Sequence, residues 1–385
     1  MNAFITFVFG LLFTLTLQAN GWKAVHDEIQ TLFNETLSNI NVHSASWAVY
    51  SPSKNIDYSF AAGKFKSGDK VTKASPFYVA SIGKTFTATA IAMLYEQGRL
   101  NLTDKISKYL PDRIIGGIHL FQGKDYSHEI TIAQLLQHTS GLPDYFEGKT
   151  TDGSANAMTL LHSNTEKLWT PQEILNIAKQ NMKPHFIPGT GYQYSDTGYI
   201  LLGMVIERVS GMHLHDFFKQ HIFMPLNMNH TYMHLRAKPI LPTSRMAEIY
   251  VDNLEISTFK SLSLDWAGGG LVSNAQDINR FQLALYGSNF LSQSTLKKMQ
   301  KWIPESKGIY YGFGLRKVHI RERLPSGPDL SMIGHTGSTS SFMFYCPRLD
   351  VYLSGTLNQA SQVKQSIVAP IKILTYIQRF VENEK

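Results

Sequence analysis

The order in which the hydrophobic period changes along this chain constrains its fold more than any single motif does. Residues 24–40 (AVHDEIQTLFNETLSNI) carry helical spacing, and SWAVYS and IDYSFAAG then alternate like two short strands around Pro52-Ser53-Lys54-Asn55. From Ser81 to about Ile240 the pattern is mostly helical, over 82–97, ITIAQLLQHT, TPQEILNIAKQ and TGYILLGMVIERVSG, with Pro and Gly between the segments. Strand-like pieces return around 247–260, 312–320, 331–336, 341–346 and 350–356, and QSIVAPIKILTYIQRFVE closes the chain as a helix. That order predicts an α/β lobe built from both chain ends, 20–80 and 241–385, with a helical lobe over 81–240 inserted between them.

At 385 residues, with 43% hydrophobic and 12% aromatic content, the chain can bury a large core. Its net charge of +7 comes from basic residues scattered along the sequence, with no arginine-rich stripe, so nucleic acid is not an expected partner. The opening MNAFITFVFGLLFTLTLQANGW is apolar from Ala3 to Leu17, short of the ~20 residues a bilayer span needs, and predicts a secretory signal peptide over 1–19. No lysine or arginine precedes that run. Cys346 is the single cysteine, so no intrachain disulfide can form. The expectation is a periplasmic or secreted protein with no membrane span after cleavage.

Within YVASIGKTFTATAIAML, Lys84 follows Ser81 by three positions, which on a helix puts the side chains on one face, about 5–6 Å apart at Cβ. A serine hydroxyl is a weak nucleophile without a neighbouring base, and a lysine with its pKa lowered by a desolvated cleft can serve as one. The same spacing occurs at Ser51, Ser67, Ser257, Ser294 and Ser361, so spacing alone identifies nothing. Only Ser81 lies between a strand-like lead-in, Phe77-Tyr78-Val79-Ala80, and a long helix of small and apolar residues. A phosphate-binding loop ending in Gly83-Lys84-Thr85 would need glycine where Tyr78 stands.

Two downstream stretches offer partners. Tyr194 and Asp196 follow Pro188-Gly189-Thr190-Gly191, just before a helix; Tyr194 could relay a proton to a leaving group. Read alone, the segment is more simply a packing aromatic followed by an N-cap aspartate. In SMIGHTGSTSSFMFYC, His335 and Thr336 could bind a carboxylate, Gly337 permits close approach, and Ser338 can offer its N–H.

In this order the three motifs resemble the penicillin-recognising serine hydrolases, whose signature is S-x-x-K, Y-x-N and K-T-G or H-T-G. Further echoes are QLLQHTSGLPDY, PGTGYQYSDTGYILLG, PLNMNHTYM, AGGGLVSNAQDINRF and YGFGL, and the class C β-lactamase-like and D-alanyl-D-alanine carboxypeptidase branch is the most similar. The resemblance implies an α+β fold, an antiparallel sheet flanked by N- and C-terminal helices plus an inserted all-α lobe, working as one catalytic unit. It implies that Ser81 is acylated, that Lys84 and Tyr194 share base and acid work, and that the Ser81 and Ser338 N–H groups form an oxyanion hole. His335 and Thr336 would meet the substrate carboxylate, with Gly337 beside them; no metal or organic cofactor is implied. Expected substrates are a small peptide, a β-lactam or an ester, with peptidoglycan as a further partner.

Two residues depart from the pattern. Asp196 stands where the family often has asparagine; it cannot donate to a substrate carbonyl but can accept from Lys84, raising the lysine's pKa and shifting base work to Tyr194. His335 replaces a lysine, making the site's positive charge depend on pH and disfavouring efficient β-lactamase action. A D-Ala-D-Ala carboxypeptidase-like or β-lactamase-related amide hydrolase is therefore expected, with an esterase and a non-catalytic cell-wall binding protein as the alternatives. The histidines at 213, 215, 221, 230 and 234 have irregular gaps and no cysteine nearby, and are read as structural. Gly268-Gly269-Gly270 suits a backbone passing close to the cleft, with a plain loop as the alternative.

Overall fold

Alternation in the first strand divides the molecule into two cores. The computed structural model describes residues 21–39, 41–287 and 290–383; a helix over 21–37 (α1) leads into β1 (Ser44–Ser51) and β2 (Ile56–Gly63), which pair as a hairpin. Trp47 and Val49 face one core and Ala48 the other, as the period of two requires. Later strands repeat the division, Phe342 and Phe344 joining Trp47 while Met343 joins Ala48. Burying phenylalanines such as these contributes roughly 1.5–3 kcal/mol each.

Beyond β2 come the short β3 (Phe77–Tyr78), α2 (Gly83–Glu96), α3 (Ile132–Leu136), α4 (Pro171–Asn181) and α5 (Asp196–Ser210). Then follow β4 (Tyr232–Met233), β5 (Leu271–Ser273), α6 (Ala275–Tyr286) and a run of strands: β6 (Ile303–Ser306), β7 (Ile309–Tyr311), β8 (Arg316–His319), β9 (Ser331–Thr336), β10 (Phe342–Cys346) and β11 (Val351–Thr356). Helix α7 (Gln365–Asn383) ends the described chain. The main sheet has eight antiparallel strands in the order β6-β7-β8-β9-β10-β11-β1-β2, so the two chain ends meet where β11 pairs with β1. Residues of α1 and α7 cover one face; α6 and the helices of the middle segment share a core with the other. This is an α+β fold, an antiparallel sheet flanked by the terminal helices on one face and by the helical middle segment on the other.

Three differences from the sequence-based expectation have physical causes. Residues 247–260 form only a two-residue hairpin outside the main sheet, Tyr250–Val251 with Leu254–Glu255. Strands β6 and β7 lie outside the expected strand pieces: β7 is only three residues long, and β6 is an edge strand, where Pro304 is tolerated and a bulge falls between Pro304 and Ser306. Helix α6 lies in a region read as strand-rich; the Asn274 side chain caps it by accepting from the Asp277 N–H at 2.8 Å. The expected signal peptide, 1–19, lies outside the described residues. Among the described residues no helix is long and apolar enough to cross a membrane.

Helix α2 carries the site and has almost no solvent face. Eleven of its fourteen residues are buried, including Lys84, so its threonines need internal partners. Thr85 donates to the Gly314 carbonyl at 2.7 Å and Thr87 to the Ala267 carbonyl at 2.7 Å. Those two bonds draw the YGFGL loop and the glycine-rich loop 267–270 onto the helix.

Candidate active site

Ser81 sits in the single turn Ala80–Ile82 that runs straight into α2. Its neighbour Ala80 has φ +48°, a left-handed conformation that costs a non-glycine residue free energy and must be held by its surroundings. The restraint comes from two directions. Gly269 packs so closely that a Cβ there would lie 2.8 Å from the Ala80 carbonyl carbon, and a Cβ on Gly337 would lie 2.3 Å from the Val79 oxygen. From the loop after β9, Thr339 donates to the Tyr78 carbonyl at 2.9 Å and Ser341 to the Val79 carbonyl at 2.7 Å. The loop carrying Gly337 and Ser338 is thus stapled to the strand that presents the serine.

Lys84 Nζ donates to Ser81 Oγ at 3.1 Å and to the Gly268 carbonyl at 2.9 Å, and forms an ion pair with Asp196. All three of its protons have partners. The lysine side chain is wholly buried and that of Asp196 is 11% exposed. Burial pulls the Lys84 pKa down, but the Asp196 carboxylate and the neighbouring Tyr194 outweigh it, and the net shift is upward. The upward direction is the one that Asp196 beside Lys84 leads to expect; it outweighs the desolvation that alone would favour a neutral base, and the resting group is an ammonium with its charge paired.

Tyr194 lies over that ammonium, with Nζ 5.1 Å from its ring centroid. Burial raises the Tyr194 pKa and Lys84 lowers it in part, so the resting group is a phenol. Asp196 is not the helix N-cap. Ser195 occupies that position, and Asp196, first in α5, directs its carboxylate at Lys84. The segment HTSGLPDY, 138–145, fixes this loop: His138 Nδ1 accepts the Ser195 N–H at 3.1 Å, Asp144 accepts the Asp196 N–H at 3.1 Å, and Ser195 and Thr197 both donate to the Pro143 carbonyl. The His138 ring also packs against Tyr194 at a tilt of 37°, centroids 4.2 Å apart. Two acids, the buried Asp144 and the half-buried Asp265, crowd the ion pair. Burial and then the Asp196 charge push Asp144 up to about 7 and Asp265 up to about 6.

His335 does not face substrate. It is 0% exposed; its Nδ1 is 2.7 Å from the Thr336 carbonyl, which can only accept, so Nδ1 carries the proton and Nε2 accepts from the Tyr311 hydroxyl at 3.0 Å. Burial, then Arg316 and Lys84, hold its pKa well below the usual histidine range. The pH-dependent charge expected from sequence is therefore corrected to a neutral structural ring. The relative rates of an anionic and an uncharged acylating probe are expected to show no histidine-like break between about pH 5 and pH 8. A matched pH series of labelling rates checks this.

The positive charge beside Thr336 belongs to Arg316, for which spacing gives no signal. Paired across β8 and β9 with Gly334, it donates through Nη1 to Thr336 Oγ1 at 2.9 Å, and its guanidinium lies 5.1 Å from the Tyr194 ring centroid. Ser338 is exposed, and its N–H has no hydrogen-bond partner among the described residues. Ser81, Lys84, Tyr194 and Asp196 are thus brought together under a loop that presents Gly337 and Ser338, with Arg316 and Thr336 along one wall.

The beta-lactamase family model matches residues 29–374. The chain belongs to that family. Penicillin-binding protein 4* of Bacillus subtilis (strain 168) is 31% identical over 275 residues, covering 67% of this chain and 55% of that protein. This member thus spans about half the length of that relative. A D-stereospecific amidohydrolase from Streptomyces sp. superposes with a TM-score of 0.70 at 26% identity, covering 86% of this chain and 94% of that one. D-amino acid amidase from Ochrobactrum anthropi SV3, at 23% identity, covers 94% and 99% with a TM-score of 0.74, a likeness of fold.

Proposed function

We propose that this member of the beta-lactamase family is a serine hydrolase that acylates Ser81 with small amides or esters whose leaving groups carry no free carboxylate. The observation that carries the reading is the position of Lys84 Nζ, between Ser81 Oγ at 3.1 Å and the Asp196 carboxylate. An ammonium cannot accept a proton, but one so placed can pass one on. As Ser81 Oγ attacks the substrate carbonyl carbon, its proton moves to Nζ while Nζ releases one to Asp196. The oxyanion lies toward the Ser81 and Ser338 N–H groups, and Tyr194 donates its phenolic proton to the leaving nitrogen or oxygen. Lys84 can reprotonate Tyr194, and water then releases the acyl group. Solved structures of an amidohydrolase and a D-amino acid amidase on this fold support the choice of amides.

A D-Ala-D-Ala carboxypeptidase is the second reading, favoured by Arg316 beside Thr336, since such a substrate ends in a carboxylate. Export through segment 1–19 belongs to the same proposal and rests on the sequence alone. Intact mass after incubation with a fluorescent penicillin and, separately, a fluorophosphonate tests the acyl-enzyme. One adduct per chain is expected, and Ser81→Ala is expected to abolish it. Failure of both probes on the folded wild-type protein would leave a non-catalytic, cell-wall binding protein as the better account.

A further inference from the structure

The charge that could read a substrate carboxylate is already occupied by this chain. Arg316 makes a two-point contact with Glu305, Nε to Oε2 at 2.9 Å and Nη2 to Oε1 at 2.6 Å, while Nη1 holds Thr336. Side-chain exposures are 17% for Arg316 and 16% for Glu305, so water screens the pair weakly. Glu305 reaches Arg316 through a backbone irregularity. In the β6–β7 pairing Pro304 faces Tyr310 and Ser306 faces Ile309, so Glu305 is the extra residue of a bulge at the sheet edge. A bulge re-aims a side chain that regular alternation would place elsewhere. Near the pair is the Tyr192 hydroxyl, which is buried without a hydrogen-bond partner among the described residues. The fields of Glu305 and Arg316 both act on that hydroxyl.

We propose that Glu305 is a specificity-determining residue: by occupying Arg316 from the β6 bulge, it makes the subsite beside Thr336 select uncharged over carboxylate-terminated leaving groups. The proposal deepens the reading of Ser81 as an acyl-transfer nucleophile and rests on that reading for its consequence in turnover. Its physical content is a competition between two carboxylates for one guanidinium. A substrate carboxylate must displace Glu305 or leave it as an unpaired negative charge nearby, whereas an ester or amide end need do neither.

The test uses two N-acylglycyl thioesters that differ only at the thiol leaving group, one ending in a carboxylate and the other in its methyl ester. Thiol release gives kcat/KM for each, and calorimetry on the Ser81→Ala protein gives Kd for each without turnover. Wild type is expected to favour the methyl ester. Glu305→Gln is expected to move the kcat/KM ratio toward the carboxylate by about tenfold, chiefly through KM, the size of one well-formed charge contact. The same shift is expected in the Kd ratio in the Ser81→Ala background. Glu305→Asp, which keeps the charge, is expected to stay near the wild-type ratio, and Glu305→Gln combined with Arg316→Gln to lose the gain. An unchanged Kd ratio in the Glu305→Gln protein, with its melting temperature preserved, overturns the proposal whether or not the thioesters are cleaved. Intact Kd selectivity with no thiol release by wild type upholds the proposal for binding and instead removes the hydrolase reading.

Discussion

Lys84→Met is expected to destabilise the protein by about 3–5 kcal/mol near neutral pH, the range for removing one partner of a buried ion pair. Methionine matches the lysine stem, so packing is nearly conserved and the change isolates the charge. What remains is Asp196 without its counter-ion, between Asp144 and Asp265, whose pKa values are already raised to about 7 and about 6. For those two acids the folded state holds protons that the unfolded chain has released, so each lowers stability as pH rises from the ordinary aspartate value through its folded pKa. Lys84 has the opposite sense: its raised pKa contributes stability that is present below the ordinary lysine value and lost only as pH rises through the folded one. Loss of the ammonium should therefore hurt most where the carboxylates are ionised. Chemical denaturation at about pH 5 and about pH 8 is the check, with the variant's deficit smaller in acid. A deficit independent of pH would mean that Lys84 contributes packing and not charge. Ser81 labelling by fluorophosphonate is expected to be lost at either pH.

Gly268→Ala is expected to slow Ser81 labelling by about 100-fold while leaving the protein folded, because a displacement near one ångström in a catalytic group can cost that much. A Cβ on Gly268 would lie 2.8 Å from Asp196 Oδ1 and 3.6 Å from Lys84 Nζ. Something must shift, and the atoms nearest are the ion pair. Overpacking of this kind costs about 1–3 kcal/mol, so the melting temperature should fall modestly. Labelling within a few-fold of wild type would show that the pair can move without consequence. Gly203→Ala is the control, since its Cβ would meet Ala267 and Trp266 instead of the ion pair.

The parts of the site legible in the sequence are those fixed by local spacing. Ser81 and Lys84 share a face because three residues separate them on a helical turn, and the Tyr194 loop is marked by turn residues just before α5. The charge state of Lys84 depends on more. Burial can be read from the apolar run of α2, but that burial lowers the lysine pKa, and the group that reverses it, Asp196, lies more than a hundred residues away and is placed beside Lys84 only by the resemblance of the motifs. Arg316 and Glu305 were illegible for a related reason. Their meeting depends on the β8–β9 register and on one extra residue in an edge strand, and neither leaves a periodic trace. His335 shows the converse. A histidine beside a glycine turn suggests an exposed switch, yet its ring turns inward to Tyr311, a contact that no neighbour in sequence announces.

The staples from Thr339 and Ser341 to the carbonyls of Tyr78 and Val79 have a temporal meaning. A ribosome releases the serine, the lysine and the tyrosine long before it reaches those hydroxyls, and until they arrive the left-handed turn at Ala80 lacks one of the two sets of contacts that hold it. A nascent chain therefore carries the whole nucleophilic apparatus in an unassembled state. The serine's setting is complete only when this later loop has closed against Tyr78 and Val79, so the nucleophile is shaped by chain that follows it by more than two hundred and fifty residues.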